Sequence, residues 1–349
     1  MPQQADNQST SRITQPPADS DISSAQGPTV PTNGPPKWKR FLSVVLKVIA
    51  LPVNRVLKPV WEMLKREANA LEALSALLAM GAIVYGVISY VGEEPQRQQA
   101  SHNTAWQVIN SATGQVISGG RIEALQELNR DNIPLEGLVA HSANLQKIEL
   151  PNANLSHANL QGANLQGANL QGANLEGADL SYAILLSATL RGADLQSATL
   201  LSATLKGANL EGAVLPSGNL QYANLIRANL KGADLSHAYL QYARLQYAIL
   251  EDAILEDANL QGANLFNAQL QGVSLQRANL PNVVLQEANL QEADLLATYL
   301  LGADFTDADL SNADFRYSKK LLASQIRHAK DWDRALFDTN LREELGPSP

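Results

Sequence analysis

Residues 158–180 read ANLQGANLQGANLQGANLEGADL, a five-residue unit repeated without interruption. The same register runs from Leu145 to Phe315, where every fifth residue is large and apolar: of these 35 positions, 33 are Leu and two are Phe. Two residues before them, 30 of the 35 positions hold Ala, and the position between is Asn or Asp in 21 cases. Such periodicity indicates a repeat architecture built from one small structural unit.

The spacing of Ala and Leu decides between helix and strand. Residues two apart point to the same side of an extended strand, so the Ala and Leu of each unit face one side together. A helix is excluded, because a five-residue period at 100° per residue would spread the leucines around the cylinder. The remaining arrangement is a coil of short straight edges with a corner every five residues, where Asn, Asp and Gly suit the tight turns. Each coil needs its neighbours to bury its inner face, so the array is a solenoid.

The unit resembles the pentapeptide-repeat family, whose consensus is A(D/N)Lxx. This resemblance implies a mainly β fold, a right-handed quadrilateral β-helix over residues 135–318 with one pentapeptide on each side. With four sides, about nine coils at a spacing near 4.8 Å give a rod of about 42 Å. The stretches 105–112 and 120–125 are similar to the lead-in of many cyanobacterial members. Residues 319–349 are expected to close the solenoid with a C-terminal capping helix over 326–335 and a tail.

The N-terminal third has a different character. Residues 1–36 hold almost no large apolar side chains, which predicts a disordered tail. Residues 37–66 carry eight Lys and Arg against one Glu, interleaved with apolar residues, which predicts a basic amphipathic segment in the lipid headgroup region. An ordinary solvated helix packed on the rest of the protein is the alternative. The expected membrane-surface contacts are Lys37, Trp38, Lys39, Arg40, Lys47, Arg55 and Lys58.

The stretch from Ala73 to Val91 contains no charged side chain. As a helix this run spans about 28 Å, close to the ~30 Å hydrocarbon core of a bilayer. We therefore predict a single transmembrane helix over 71–92, ended by Glu93-Glu94-Pro95, with Trp61 and Tyr90 at the interfaces. A buried core helix is the alternative.

The positive charge before this run predicts a cytoplasmic N-terminus. If residues 41–58 form a second membrane segment, the orientation reverses. Residues 96–134 are expected to form a helical connector and N-terminal cap, with one short helix around Trp106 and Ile109 and a second over Ile122–Leu128.

The sequence offers little for catalysis, cofactor binding or metal binding. Cysteine is absent, and the five His residues are scattered. His157 and His237 share a side of the predicted rod but lie four coils apart, roughly 19 Å, which is too far to share a metal. The carboxylates at Glu251, Asp252, Glu256 and Asp257 are interpreted as a solvated acidic face. We therefore assign no catalytic, cofactor or metal residue.

Exposed aromatic side chains suggest a surface for a protein partner. Tyr222 and Tyr242 are separated by four repeats of the unit and are expected to stack on successive coils, while Ile226, Tyr247 and Phe266 project near one corner. Clusters of this kind often mark interfaces. A ladder of tyrosines that only stabilises the rod is the alternative.

These features favour a non-enzymatic, membrane-anchored scaffold that binds an unidentified protein partner and membrane lipid, with no nucleic acid expected and a homodimer possible. The resemblance places it in a thylakoid or plasma membrane if the source is cyanobacterial. It also implies an alternative, an acidic DNA mimic that binds DNA gyrase, as some family members do, or another nucleic-acid-binding protein. Residues 143–316 hold 17 Asp and Glu against eight Lys and Arg, whereas about 42 Å of duplex DNA carries about 25 charges. A purely architectural role without a dedicated partner is a third possibility.

Overall fold

The fold is given by a computed structural model, which describes the backbone of residues 70–111 and 120–347. Most side chains between positions 70 and 91 lie outside this description. The predicted disordered tail (1–36), the predicted interfacial segment (37–66) and its seven membrane-surface residues also lie outside it. These three therefore stay predictions. The repeats and the C-terminal segment belong to the compact unit Tyr90–Pro349.

Residues 135–319 wind into a coil with four sides, as the family resemblance implies. Parallel bridges join residues 20 apart, from Val139 with Asn159 to Tyr299 with Lys319, so four five-residue units complete one coil. Each edge contributes one bridge residue. On either side of the bridge residue Asn224, one neighbour donates to the next coil and the other accepts from it. The Leu225 N–H donates to the Arg244 carbonyl at 2.7 Å, and the Ala223 carbonyl accepts from the Arg244 N–H at 2.9 Å. Backbone hydrogen bonds therefore run between successive coils.

Each corner is a β-turn with the features of type II. The Ala228 N–H donates to the Leu225 carbonyl at 2.9 Å across two turn residues, and the second of these, Arg227, has φ 59°. A positive φ at this position defines the turn and normally favours Gly or Asn. In this protein residues other than Gly and Asn also adopt the positive φ. Backbone hydrogen bonds to the next coil hold them there, as does a contact in which the Asn or Asp side chain before Leu accepts from a turn N–H. In that contact the Asn259 side-chain oxygen accepts from the Gln261 N–H at 3.1 Å, which explains the Asn and Asp before Leu.

The repeated Ala and Leu side chains fill the interior. Ala223 and Leu225, for example, are fully buried. Near the C-terminal end, Phe305 and Phe315 replace Leu and pack edge to face with centroids 5.5 Å apart. Burying a Leu side chain stabilises by about 1.5–3 kcal/mol relative to exposure, so the stacked leucines are the main stabilising element of the rod.

Two helices precede the rod, and the residues that join its core from them are Ala105 and Ile109 of the first and Ala124, Leu125 and Leu128 of the second. Helix α1 spans Ala70–Ser111 and helix α2 spans Arg121–Arg130. Their contact includes the His102 ring Nε2, which lies 2.7 Å from a carboxylate oxygen of Asp131. On α2, the Asn129 side chain donates to the Pro151 carbonyl at 3.1 Å, so this helix caps a backbone acceptor of the first coil.

The prediction that Glu93-Glu94-Pro95 ends the apolar helix is wrong, as is that of a separate short helix around Trp106. Helix α1 continues through Pro95 for 42 residues. Arg97 lies 2.7 Å from Glu93, one turn before it, and its guanidinium lies 5.0 Å from the centre of the Tyr90 ring. These contacts link the turns on either side of the proline and offset part of the cost of its missing hydrogen bond.

The predicted transmembrane segment is helical along its backbone, because it lies within α1. Among the residues that the structure describes, no helix is both long enough and apolar enough to cross a membrane.

The C-terminal segment closes the solenoid differently from the prediction. Instead of one helix over 326–335, it forms α3 (Ala323–Ile326), a 3₁₀ helix (Trp332–Arg334) and α4 (Thr339–Leu345). Lys330 bridges Asp309 and Leu336 bridges Asp314, so the chain adds part of an irregular last coil before it ends. Both pairs are spaced more widely along the sequence than the regular bridges, because the five-residue register stops after Phe315. A helix over these residues would leave those backbone groups of the last coil unpaired.

Candidate protein-binding surface

Tyr222 and Tyr242 lie at the same corner of successive coils. Both occupy the second turn position, with φ 58° and 59°, which directs the side chains away from the core. Their rings stack with centroids 5.3 Å apart and an interplanar angle of 11°. Both side chains are exposed, and the Gln261 amide donates to the Tyr242 hydroxyl at 3.3 Å. The stack is therefore a rigid apolar strip that faces solvent.

The other three predicted surface residues lie at the next corner. The Tyr247 and Phe266 rings meet edge to face at 5.6 Å, with an interplanar angle of 83°. Ile226 is half-buried, one coil before Tyr247 and two coils before Phe266. The structure therefore brings the five residues onto two neighbouring corners, separated by one short edge.

Two arginines that sequence analysis did not single out belong to the same surface. Arg227 lies with its guanidinium 5.6 Å from the centre of the Tyr247 ring, a cation–π distance. Arg244 is exposed on the edge between the two corners and is bridged to Asn224 on one side and Asn264 on the other. Because residues 20 apart stack, the repeat itself places Arg227 and Arg244 beside the aromatic residues. Assigning the charged residues to the four sides of the coil would therefore have identified both arginines from the sequence.

Most carboxylates of the predicted acidic face form ion pairs with Lys or Arg side chains of neighbouring coils. Lys231 lies 2.6 Å from Glu251 on the next coil, and this hydrogen bond raises the pKa of Lys231. Arg277 lies 2.8 Å from Asp257 and 3.2 Å from Glu256. Its hydrogen bond holds the pKa of Asp257 below its usual range. The interpretation as a merely solvated face is therefore incomplete: coils above and below supply cations to three of the four carboxylates.

No group of side chains suited to a metal ion occurs in the described part of the chain. His157 and His237 lie in corners of the same side that are several coils apart, because the bridges advance 20 positions per coil. The acidic corners are held by hydrogen bonds and ion pairs that stabilise the rod. The aromatic surface carries no such internal charge pairing among the described residues.

Comparison with known proteins agrees with this architecture. A family model described as pentapeptide repeats matches eight copies that together cover residues 141–319. No curated protein matches the chain.

Among solved structures, the chain is similar to HetL, a pentapeptide repeat protein involved in heterocyst differentiation regulation from the cyanobacterium Nostoc sp. strain PCC 7120. The two are 36% identical over 52% of this chain and 84% of HetL, with a TM-score of 0.31. QnrB1, a plasmid-mediated fluoroquinolone resistance protein, is 20% identical over 54% of this chain and 95% of its own, with a TM-score of 0.36. A pentapeptide repeat protein from the Arabidopsis thaliana thylakoid lumen is 28% identical over 30% of this chain and 70% of its own, with a TM-score of 0.19.

The matched residues cover more than half of the sequence and coincide with the bridged coils. The chain belongs to the family of pentapeptide repeat proteins.

Proposed function

We propose that this protein is a non-enzymatic scaffold that binds another protein through the surface formed by Tyr222, Ile226, Tyr242, Tyr247 and Phe266. The observation that carries the proposal is the exposed stack of Tyr222 on Tyr242. Large rings held in one orientation lose little conformational entropy on binding, so they are effective anchors in interfaces. The rest of the rod is a stiff support, because its corners and edges are hydrogen-bonded to the coils above and below.

Removal of the rings tests the proposal directly. The full-length chain, tagged after Pro349, is crosslinked in cells of its source and its neighbours are identified by mass spectrometry. We expect the double variant Tyr222→Ala, Tyr242→Ala to lose at least one specific protein neighbour. Leu301→Ala is the matched control, because Leu301 is a similarly exposed corner side chain outside this surface. An unchanged set of neighbours in the double variant would reject the proposed surface and favour a purely stabilising tyrosine ladder.

We further propose that the rod is tethered to a membrane by the segment Ala73–Val91, with residues 37–66 at the lipid surface. The uncharged composition of that segment supports this, as does the exposure of Leu78 and Tyr85 on α1. Alkaline carbonate washing is expected to leave the full-length protein in the membrane pellet. Ala82→Arg with Val87→Arg places two charges in the segment and is expected to shift the protein to the supernatant. Complete release of the unmodified chain would reject the tether.

The alternative of an acidic DNA mimic receives less support. Mimicry needs a dense, regular array of unpaired negative charge. Glu251, Glu256 and Asp257 are instead paired with Lys231 and Arg277. Inhibition of DNA gyrase supercoiling by micromolar full-length protein would revive this alternative.

A further inference from the structure

Charge is distributed unequally around the rod. The basic side is our name for one side of the rod between residues 201 and 267, where four stretches lie one above another because bridges join residues 20 apart. These stretches are 201–207, 221–227, 241–247 and 261–267. They contain three cations, Lys206, Arg227 and Arg244, and no Asp or Glu. They also contain Tyr222, Ile226, Tyr242, Tyr247 and Phe266, so aromatic rings and cations share one side.

The opposite side, which we call the acidic side, consists of 191–197, 211–217, 231–237, 251–257 and 271–277. Its three cations are all paired with a carboxylate one coil away: Arg191 with Glu211 at 3.3 Å, Lys231 with Glu251 at 2.6 Å, and Arg277 with Asp257 at 2.8 Å. On the basic side, by contrast, no described carboxylate lies within ion-pair distance of Lys206, Arg227 or Arg244.

This contrast matters because the chain as a whole is acidic, with a formal net charge of −8. Three exposed cations on one patch repel one another. Among the described residues, the one charge-related contact that they make is the cation–π contact of Arg227 with the Tyr247 ring. The rod tolerates this arrangement without internal compensation. An external anion would remove the repulsion and use the rings as an apolar floor.

We propose that the basic side binds an extended, acidic peptide segment of a partner protein; this rests on the proposed function and specifies its partner class. Lys206, Arg227 and Arg244 are distributed over three successive coils, so they span about 10 Å along the rod. Alternate side chains of an extended peptide lie roughly 6.6–6.8 Å apart on one face. Two or three Asp or Glu residues at alternate positions therefore reach these cations, and an apolar residue beside them packs on Tyr222 and Tyr242.

Two other occupants are less well matched. A second copy of this chain would have to present its acidic side, but Glu211, Glu251 and Asp257 there are already paired internally. Nucleic-acid binding depends on many contacts between phosphates and cations. The patch offers three cations, and the rest of this acidic chain would repel the remaining phosphates. An acidic peptide needs only the local patch.

The test uses the full-length chain in neutral detergent and a fluorescein-labelled decapeptide that alternates glutamate and leucine. Fluorescence anisotropy measures binding, and the same decapeptide with glutamine in place of glutamate is the control probe. We expect saturable binding of the glutamate peptide that weakens as salt rises from 50 to about 500 mM, since exposed charges are screened over a few ångströms at that ionic strength. Equal binding of the glutamine peptide would overturn the proposal.

Matched variants locate the site. Arg227→Gln with Arg244→Gln removes two cations of the basic side, and Arg191→Gln with Lys231→Gln removes two of the acidic side. An exposed ion pair is worth about two- to fivefold in affinity, so the first pair is expected to weaken peptide binding about 4- to 25-fold and the second to leave it within twofold. Equal effects of the two pairs would overturn the proposal, because general charge would then explain the binding. Melting curves followed by circular dichroism check that both pairs remain folded.

The remaining outcomes separate this inference from the proposed function. Binding to phosphatidylglycerol vesicles or single-stranded oligonucleotide that needs Arg227 and Arg244, without peptide binding, assigns the basic side to another class of ligand and overturns the inference. If sedimentation detects self-association and the same two substitutions abolish it, the occupant is a second copy of this chain and the inference is overturned. If Tyr222→Ala with Tyr242→Ala removes a crosslinked neighbour in cells while Arg227→Gln with Arg244→Gln does not, the protein-binding function stands and its acidic specificity fails.

Discussion

The ring of Tyr242 occupies the space that a side chain at position 262 would need. A Cβ atom built on Gly262 would lie 2.7 Å from the Cδ1 and Cε1 atoms of that ring. On its other side the ring is stacked on Tyr222. Gly262 therefore forms the end of the aromatic column and lets the Tyr242 ring lie flat along the corner.

Gly262→Ala is expected to displace the Tyr242 ring and weaken the stack. The Ala residue also has to adopt φ +65°, which costs roughly 1–2 kcal/mol for an L residue. Gly232→Ala is the matched control, because its φ is +62° and nothing lies within 4 Å of the added Cβ. We expect the near-ultraviolet circular dichroism of the tyrosines to change only in Gly262→Ala. A similar change in both variants would show that the turn, and not the ring contact, is responsible.

The period of the sequence, together with the four sides that the family resemblance implies, predicted more of the surface than of the ends. Tyr222 and Tyr242 are separated by four whole repeat units, so four-sided winding alone requires them to meet. Proline normally breaks or kinks a helix, so the sequence predicted an end at Pro95, whereas α1 continues through it. The last coil could not be predicted from the repeat either, because Lys330 and Leu336 pair with residues that are not 20 positions away.

Leu225→Ala is expected to lower the free energy of unfolding by about 2–5 kcal/mol, since the fully buried side chain leaves a cavity that stiff neighbouring coils cannot fill. Leu301→Ala removes the same atoms from an exposed corner, where the loss is expected to stay within about 0.5 kcal/mol. Urea denaturation followed by circular dichroism measures both. Equal losses would contradict the assignment of every fifth residue to the core.

Arg121 is expected to be a site where substitution stabilises the protein. Its side chain is fully buried at the first position of α2, and its guanidinium nitrogens have no hydrogen-bond partner in the described structure. Burial lowers the pKa of this group, because the charged form is poorly solvated there. Arg121→Met keeps most of the volume and removes the unpaired donors and their charge, so we expect the free energy of unfolding to rise by about 1–3 kcal/mol.

Arg130→Met supplies the reference for that experiment, because Arg130 is exposed at the other end of the same helix. Its effect is expected to stay within about 0.5 kcal/mol. Destabilisation by Arg121→Met would mean that the guanidinium makes a favourable interaction, and the prediction would then be wrong.

Asp309 is expected to make the C-terminal coils sensitive to acid. Burial favours the neutral carboxyl, but the Ser311 hydroxyl and N–H donate at 2.7 and 3.0 Å and the Gln291 amide at 2.6 Å, so the net effect is a lowered pKa. The unfolded carboxyl, with a pKa of about 3.9, therefore takes up a proton before the folded one as the pH falls. Its contribution to stability is complete above this value and is lost at lower pH as the folded carboxyl becomes protonated.

Asp309→Asn tests this by removing the titration while keeping an oxygen that accepts from Ser311. At pH 7 the variant is expected to be less stable by about 0.5–1.5 kcal/mol, because the charge-assisted bond from Gln291 is lost. The difference from the unmodified chain should shrink between pH 4 and pH 2, since acid neutralises the native carboxylate as well. Asp307→Asn makes the same chemical change at an exposed corner nearby and is expected to shift stability little at any pH. Urea denaturation at pH 7, 4 and 2.5 decides the matter: a deficit for Asp309→Asn that stays constant across this range would exclude ionisation of Asp309 as its cause.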